Sequence, residues 1–467
     1  MLTFLLVYFP SFHNPYPKHI DEYHHLTEAI KLKQGESTQG ISRMELGFHI
    51  LIALLHTIFG SNLILIYRFL APLFACLSSL ALFFLAYKKS DNNFLIGIFA
   101  MIFFASIKSN VNITGLWFFT PLTFAIPFIF LYLYFFTEGI EKQNKKYILI
   151  SLAIIILLLT THALSVLFAL PFLLIYLIIN YKQVKKQWRF LLILLLIPLL
   201  GILAYKLIMN VPFSGITDRL IHALQFRKGW GILELNIHLP LLYSFIGFIL
   251  AILGIISIFL FLPKSKIKKY SLFVVWPITI FISIFIYQKT NISYLVPYQR
   301  NVYYLILAMP FLSAMGLNYV IKFIEQYASK LKNRSFSKII TIIILAVIFF
   351  FTFASYYKIP EQIRLYTVMD HQDYESLLFL KDKEKSTVMA DPMISEALFP
   401  VAQQNPVATL AFYGNRKDSE KFFGAQNCET RQELIDKYNA KYVLSKKPID
   451  CRWDLIYNKG NYIYQTS

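Results

Sequence analysis

The chain has 467 residues, 57% of them hydrophobic, 17% aromatic and only 15% charged. A soluble domain carries about one-quarter charged residues, so this composition, with its long apolar runs, excludes an ordinary soluble protein. The net charge of +19 does not mark a nucleic-acid binder: residues 371–467 hold 13 basic and 13 acidic groups, and the basic excess lies upstream in short loops between apolar runs.

In chain order, residues 1–9 form a short apolar segment without a basic start or a small-residue cleavage site, which reads as a short anchor or a first helix incomplete at its start, and not as a cleavable signal. The polar cluster His19-Ile20-Asp21-Glu22-Tyr23-His24-His25-Leu26 follows. A helix is predicted from about Asp21 through Leu26, Ala29, Ile30 and Leu32 to Gly35. Segment 45–59 is apolar but short for a full span, and suits a buried or re-entrant helix. Spans are predicted over 62–87, 93–109, 118–137, 146–161, 163–181, 188–209, 239–262, 270–287, 301–322 and 337–357.

The loops between these spans contain Lys142-Lys145-Lys146, Lys182-Lys185-Lys186-Arg189, Lys264-Lys266-Lys268-Lys269 and Lys330-Lys332-Arg334-Lys338. Such basic loops mark the cytoplasmic side and meet anionic headgroups. Counting outward puts Thr161-His162, the 210–238 and 288–300 loops and everything after 357 outside. The loop 10–45 lands outside if 45–59 does not cross or if one more crossing lies near 110–120, and a cytoplasmic Lys88-Lys89 favours the first.

After Lys358 the pattern changes. Strands are predicted at 386–390, 407–410 and 441–445, a helix at 394–404, and a hairpin over 453–464 turning at Lys459-Gly460. Thr430-Arg431-Gln432-Glu433 reads as a capping box opening a helix to Asn439. The fold class is therefore an all-α polytopic membrane helix bundle of about 11–13 transmembrane helices, residues 1–357, with a small C-terminal α/β soluble domain, residues 358–467. That domain shows no Gly-rich phosphate loop and no metal-ligand spacing, and reads as a structural cap. Cys428 and Cys451 share it, and the sequence leaves open whether they are bridged or free. Cys76 is a packing residue within an apolar helix.

Ionisable groups beside a bilayer are expensive to desolvate, so the polar clusters point to chemistry. Asp21 and Glu22 are the candidate catalytic carboxylates. Either one within hydrogen-bond reach of a nucleophile could accept its proton, or could hold a divalent cation such as Mg²⁺ or Mn²⁺. His24 and His25 could tune that carboxylate or join a metal site. The alternatives are a capped interfacial helix for Asp21 and Glu22, whose place in a first turn suits the helix dipole, and simple solvation on an exposed helix for His24 and His25. His162 ends an apolar helix on the same predicted side. Arg300, preceded by Tyr298 and Gln299 and followed by Asn301, suits a clamp on a phosphate, or else a guanidinium snorkelling to water. Arg68 and Lys206 are further intramembrane cations that could line a groove for an anionic headgroup. Arg43 and Glu45 read as a local ion pair.

Taken together, several features resemble the GT-C superfamily of membrane glycosyltransferases, which includes protein O-mannosyltransferases, aminoarabinose-lipid A transferase and the oligosaccharyltransferase catalytic subunit. They are the Asp21-Glu22 pair opening a helix after a first apolar segment, Glu45-Leu46-Gly47-Phe48-His49 leading to Phe59-Gly60, Tyr67-Arg68, His162, and a soluble C-terminal domain. The resemblance implies a polyprenyl-phosphate-linked sugar donor, Asp21 as general base, inversion at the anomeric carbon, and Arg300, helped by His162, Gln299 and Tyr298, at the donor phosphate. The acceptor would be a protein, a lipid or a glycan at the outer face of the plasma membrane, reached from among membrane lipids, with the C-terminal domain outside. It further requires Asp21 and Arg300 to face one lipid-accessible groove. The chain departs from the oligosaccharyltransferase subunit in lacking a Trp-Trp-Asp motif and in having no carboxylate over 110–115. A transporter or flippase of a lipid-linked or amphipathic substrate is the alternative. It would explain Arg68 and Lys206 but has no need of the carboxylates at 21–22. A non-enzymatic scaffold ranks third.

Overall fold

The computed structural model describes residues 1–36, 45–109, 115–189, 192, 196, 224–227, 242–261, 263–330, 334–354, 367–410 and 413–466. Arg43, Lys206, most of the predicted span 188–209 and most of the 110–115 loop lie outside the described residues.

In chain order the helices are α1 (Leu2–Tyr8), α2 (Ile20–Lys33), α3 (Leu46–Phe59), α4 (Leu63–Lys89), α5 (Phe94–Ala105), α6 (Pro121–Glu141), α7 (Lys145–His162), α8 (Leu164–Leu167), α9 (Leu170–Ile179) and α10 (Tyr181–Lys186). Next among the described residues come α11 (Phe245–Phe261), α12 (Lys264–Thr290), α13 (Tyr298–Lys330) and α14 (Arg334–Phe353), then α15 (His371–Lys381), α16 (Pro392–Ala397), α17 (Arg416–Gly424) and α18 (Cys428–Tyr438). Among the described residues five helical stretches are long and apolar enough to cross a membrane: Leu46–Lys89, Pro121–Glu141, Lys145–His162, Ile267–Thr290 and Tyr298–Tyr327. Shorter apolar helices accompany them, so this is a helical integral membrane protein. The predicted span 163–181 is not one helix: it breaks at Phe168–Ala169 into α8 and α9, ahead of Pro171, whose ring cannot continue the preceding hydrogen-bond ladder.

The described residues form two compact units. The first comprises 1–7, 72–117 and 121–357. Its α11 and α13 cross closely at two glycines: a Cβ on Gly254 would lie 2.0 Å from the Leu312 carbonyl oxygen, and one on Gly316 would lie 2.0 Å from that of Leu250. Small residues let membrane helices approach at backbone distance, and any side chain here would force them apart. A short pair of antiparallel strands, β1 (Gln225–Arg227) and β2 (Ile292–Tyr294), also belongs to this unit.

Within the same unit a buried ion network joins α4, α6 and α9. The Lys89 ammonium, 1% exposed, donates to Glu138 Oε1 and Glu141 Oε2, both at 2.9 Å. The other Glu141 oxygen accepts from the Tyr176 hydroxyl at 2.9 Å, and Lys142 reaches Glu138 at 2.6 Å. Lys89 and Lys142 thus take part in ion pairs within the fold. Removing one partner of a buried pair leaves its charge uncompensated. Lys89→Met is expected to destabilise the folded protein by about 3–5 kcal/mol, read as a lowered Tm of the detergent-purified chain. Joint replacement of Glu138 and Glu141 by Leu should recover part of that loss.

The second unit comprises 8–71, 118–120 and 358–467. Its five-stranded sheet has the order β4-β3-β5-β7-β6, built from β3 (Thr387–Ala390), β4 (Asn405–Pro406), β5 (Ala440–Ser445), β6 (Asp454–Lys459) and β7 (Asn461–Gln465). The β3 strand pairs in parallel with β4 and β5, whereas β7 runs antiparallel to β5 and β6. The predicted strand 407–410 is displaced to Asn405–Pro406, with Ala408 making only a single bridge to Gly414. The predicted helix 394–404 starts earlier, at Pro392, and turns into a π-helical segment over Leu398–Ala402. The predicted capping box at Thr430 is replaced by Asn427, whose side chain accepts the Thr430 N–H at 3.1 Å, so α18 opens one turn sooner. The hairpin turns at Gly460, φ +89°, a backbone angle that glycine takes without strain. Cys428 and Cys451 form a disulfide. The core gathers Met389, Val407, Phe422, Leu434, Ile435, Val443 and Tyr464.

The N-terminal loop packs on this sheet domain within the same unit. Asn14 donates to the Met369 carbonyl at 2.9 Å, the Tyr16 hydroxyl meets His371 Nδ1 at 2.9 Å, and the Tyr16 ring packs on Tyr374. The Tyr413 hydroxyl bonds Glu28 of α2, and Lys31 lies 4.3 Å over the Tyr413 ring.

Candidate active site

The polar cluster at 19–26 forms the first two turns of α2. His19 is the N-cap: its Nδ1 accepts the Asp21 N–H at 3.1 Å, while Glu22 reaches back to accept the His19 N–H at 3.0 Å. This reciprocal capping satisfies donors that a helix start leaves open. Asp21 and Glu22 occupy the first turn and Lys31 and Lys33 the last, so the charges complement the helix dipole.

The two carboxylates have different surroundings. Glu22 is 4% exposed. Its Oε2 accepts the N–H groups of Lys18 and His19 at 2.8 and 3.0 Å, and its Oε1 accepts that of Phe119 at 2.7 Å. The Phe119 carbonyl in turn accepts the Tyr67 hydroxyl at 2.9 Å, so one peptide strap, 118–120, is held from both sides. Burial pushes the Glu22 carboxyl above its ordinary range, against the opposing pull of Lys18 and the three N–H bonds. Asp21 is half-buried, with a side chain 27% exposed and Oδ2 3.5 Å from His19 Nδ1. Of the pair, Asp21 therefore has the carboxylate open to a reactant. Both Glu22 oxygens are engaged by the main chain.

Lys18 adds a buried cation. Its Nζ donates to Ser11 Oγ at 2.7 Å. Burial pushes its ammonium down to about 8, partly offset by Glu22 and reinforced by Arg68. Between about pH 8 and the ordinary lysine value, the folded chain has released a proton that the unfolded chain still holds. Stability should therefore rise with pH across that window. A Tm series from pH 7.5 to 10.5 should show this rise in the native chain and lose it in Lys18→Met.

His24 is pushed below its usual range by burial, opposed by Glu28 and Asp21. His25 turns to α3: its Nδ1 lies 3.0 Å from His49 Nε2 and 3.8 Å from Glu45 Oε2. Glu45, which the sequence reading paired with Arg43, thus stands beside two imidazoles. Arg68 has a buried Nε without a hydrogen-bond partner among the described residues, and its guanidinium packs on Phe69.

The second group of candidates lies in the membrane-helical unit. His162 Nδ1 meets Ser165 Oγ at 2.6 Å, and Ser165 Oγ meets the Tyr304 hydroxyl at 3.2 Å. Arg300 stands four residues before Tyr304 on α13, on the same helix face, and its charge acts on both His162 and Tyr304. His162, Ser165 and Tyr304 are thus linked by hydrogen bonds, with Arg300 one helical turn before Tyr304. Gln299 is buried beside Arg300. Tyr298, two residues from Arg300, lies toward the opposite side of the helix and stacks on Tyr287 at 4.3 Å. Asn301 gives its amide to Ser283 and Ser293. Sequence reasoning missed Ser165 and Tyr304; the spacing of Arg300 and Tyr304 was the one available signal. Asp21 and Arg300 belong to different compact units.

Residues 46–205 match the family described as dolichyl-phosphate-mannose-protein mannosyltransferase. Among solved structures, the chain is similar to the oligosaccharyltransferase of Archaeoglobus fulgidus tethered with an acceptor peptide containing the NVT sequon. The TM-score is 0.61 at 14% identity, covering 95% of this chain and 68% of that one. It is also similar to ArnT from Cupriavidus metallidurans in the apo state, with TM-score 0.55 at 12% identity, over 98% of this chain and 96% of that one. The chain has the GT-C fold of membrane glycosyltransferases. That GT-C architecture bears out the resemblance of the sequence. The archaeal protein has also been solved with an inhibitory peptide and a dolichol-phosphate, at TM-score 0.61 and 13% identity over 95% and 69% of the two chains. With zinc and sulfate it matches at TM-score 0.57 and 13% identity over 95% and 68%. A search of curated proteins found no match.

Proposed function

We propose that this GT-C protein is a glycosyltransferase that moves a sugar from a polyprenyl-phosphate-linked donor to an acceptor at the outer face of the plasma membrane. The observation that carries the reading is the divided carboxylate pair. Glu22 is locked to three main-chain N–H groups, whereas the neighbouring Asp21 keeps a partly open carboxylate at a capped helix start. Support comes from the GT-C likeness across nearly the whole chain and from the dolichol-phosphate and peptides bound by the archaeal relative.

In this mechanism Asp21 accepts the proton of the acceptor's nucleophile as its lone pair forms the new bond to the anomeric carbon. The bond from that carbon to the phosphate oxygen breaks, and the polyprenyl phosphate leaves with the electron pair. Attack opposite the leaving group inverts the anomeric centre. Within the membrane-helical unit, Arg300 is the candidate for binding the donor phosphate, with Gln299 next to it and His162 linked to Tyr304 one turn on. Opposite charges about 4 Å apart attract by roughly 4 kcal/mol at an effective dielectric of 20, against about 1 in water. Tyr298, stacked on Tyr287 toward the opposite side of α13, is left out of the phosphate site. A hard cation such as Mg²⁺ or Mn²⁺ would find Asp21 as its carboxylate ligand there, since the Glu22 oxygens are engaged. The chemistry of proton acceptance by Asp21 does not need it.

The test is a transfer assay in proteoliposomes carrying a labelled polyprenyl-phosphate sugar and an extract of acceptor membranes. Release of polyprenyl phosphate in step with label on an acceptor is the expected result. Movement of intact donor between leaflets without loss of its sugar would replace this reading with a flippase.

A further inference from the structure

We infer that His25, Glu45 and His49 form a binding site for a transition-metal cation of the zinc class, which pins α2 to α3. The inference rests on these three side chains and does not depend on glycosyl transfer.

Each of the three offers one ligand atom, and these atoms all lie within 4.8 Å of one another. His25 Nδ1 is 3.0 Å from His49 Nε2 and 3.8 Å from Glu45 Oε2. Ligands held at about 2.0–2.1 Å around a tetrahedral zinc stand roughly 3.3 Å apart, and the two distances straddle that separation. The remaining pair, Glu45 and His49, lies within 4.8 Å, so binding requires the Glu45 carboxylate to swing toward the two imidazoles. Glu45 and His49 are four residues apart and so share one face of α3 and its N-terminal cap. His25 comes from α2 and faces them across the gap between the two helices.

A bond between two imidazoles needs one nitrogen to carry a proton and the other to accept it. That arrangement accounts for the 3.0 Å contact between the two rings. A cation accounts for all three groups: both imidazole nitrogens present lone pairs to it, and the carboxylate offsets its charge. Burial favours this outcome, since His49 is 0% and His25 6% exposed, and a metal ion holds such groups together against their desolvation. The donor set also selects the ion. Two imidazoles with one carboxylate suit zinc and its neighbours, whereas Mg²⁺, Ca²⁺ and Mn²⁺ prefer an all-oxygen shell. Three protein ligands leave a fourth position to water. Phe48 packs edge-on against the His25 ring at 5.3 Å and on Phe119 at 5.4 Å, which fixes the orientation of the imidazole.

The consequence is positional. Asp21 lies one helical turn before His25 on α2, so a metal tying His25 to α3 holds the turn that carries Asp21.

The test uses the full-length chain in detergent, with any histidine tag removed, stripped with a chelator and titrated with Zn²⁺ or Co²⁺ alone. The expected result is about one equivalent bound per chain. Co²⁺ should give the visible absorption of a four-coordinate ion, and Zn²⁺ should raise the Tm. His49→Gln, His25→Gln and Glu45→Gln should each lose the bound equivalent and the Zn²⁺-dependent rise in Tm. Wild-type protein that binds well under one equivalent would overturn the inference even if a variant fails to fold. So would variants that bind Zn²⁺ as the wild type does. Metal binding is read without any transfer assay, so its failure and that of the glycosyltransferase reading are distinguishable.

Discussion

Asp21→Asn should lower sugar transfer by about 10²- to 10⁴-fold, the usual contribution of a general base, while leaving the amount of folded protein near the wild-type level. The substitution keeps the shape of the side chain and removes its ability to accept a proton. Local structure should survive because the cap of α2 does not depend on the Asp21 carboxylate. His19 accepts the Asp21 main-chain N–H, and Glu22 closes the box from the other side. Losing one negative charge in the first turn weakens the dipole interaction by only about 0.3–1 kcal/mol. Transfer rate and Tm measured on the same preparation separate the two effects. Near-normal transfer by the variant would remove Asp21 from the chemistry. A fall in transfer matched by an equal fall in Tm would make its role structural.

Glu22→Ala should act in the opposite way, through the fold. It strips the acceptor from three buried N–H groups at once, those of Lys18, His19 and Phe119. Each unsatisfied buried donor costs about 1–3 kcal/mol, so a loss of several kcal/mol and a sharply lower Tm are expected. Transfer should fall with it, because the same three bonds hold the start of α2 and the 118–120 strap. Glu22→Gln keeps an amide oxygen of the same reach and should retain a larger share of both stability and transfer than alanine. If glutamine instead abolished transfer at unchanged Tm, Glu22 would be a proton carrier and not a positioning residue.

Much of the architecture was readable before any coordinates. Apolar runs of bilayer length predicted most of the membrane helices, because a chain in lipid must satisfy its main-chain groups within each segment. The helix at 20–33, its acidic first turn, the short helix at 46–59 and the hairpin at Gly460 followed from capping, periodicity and turn chemistry. The weaker predictions concerned short elements. Residues 407–410 have strand-forming side chains, yet the ladder runs through Asn405–Pro406, since pairing depends on where β3 lies and not on local preference. Thr430 has the right partner three residues on, but Asn427 lies one turn ahead and takes the cap.

The sequence by itself determined that this is a helical membrane protein with a small α/β domain, and it named Asp21, Glu22, His162 and Arg300 as candidates, because hydropathy, capping and charge are local properties. Only the tertiary structure decided that Glu22 is bound to the main chain of a strap nearly a hundred residues away, that Ser165 and Tyr304 join His162, and that His25 faces Glu45 and His49. The physical reason is the same in each case. Which oxygen or nitrogen remains open to a reactant or an ion depends on which distant donors have already reached it, and no local pattern of residues encodes that.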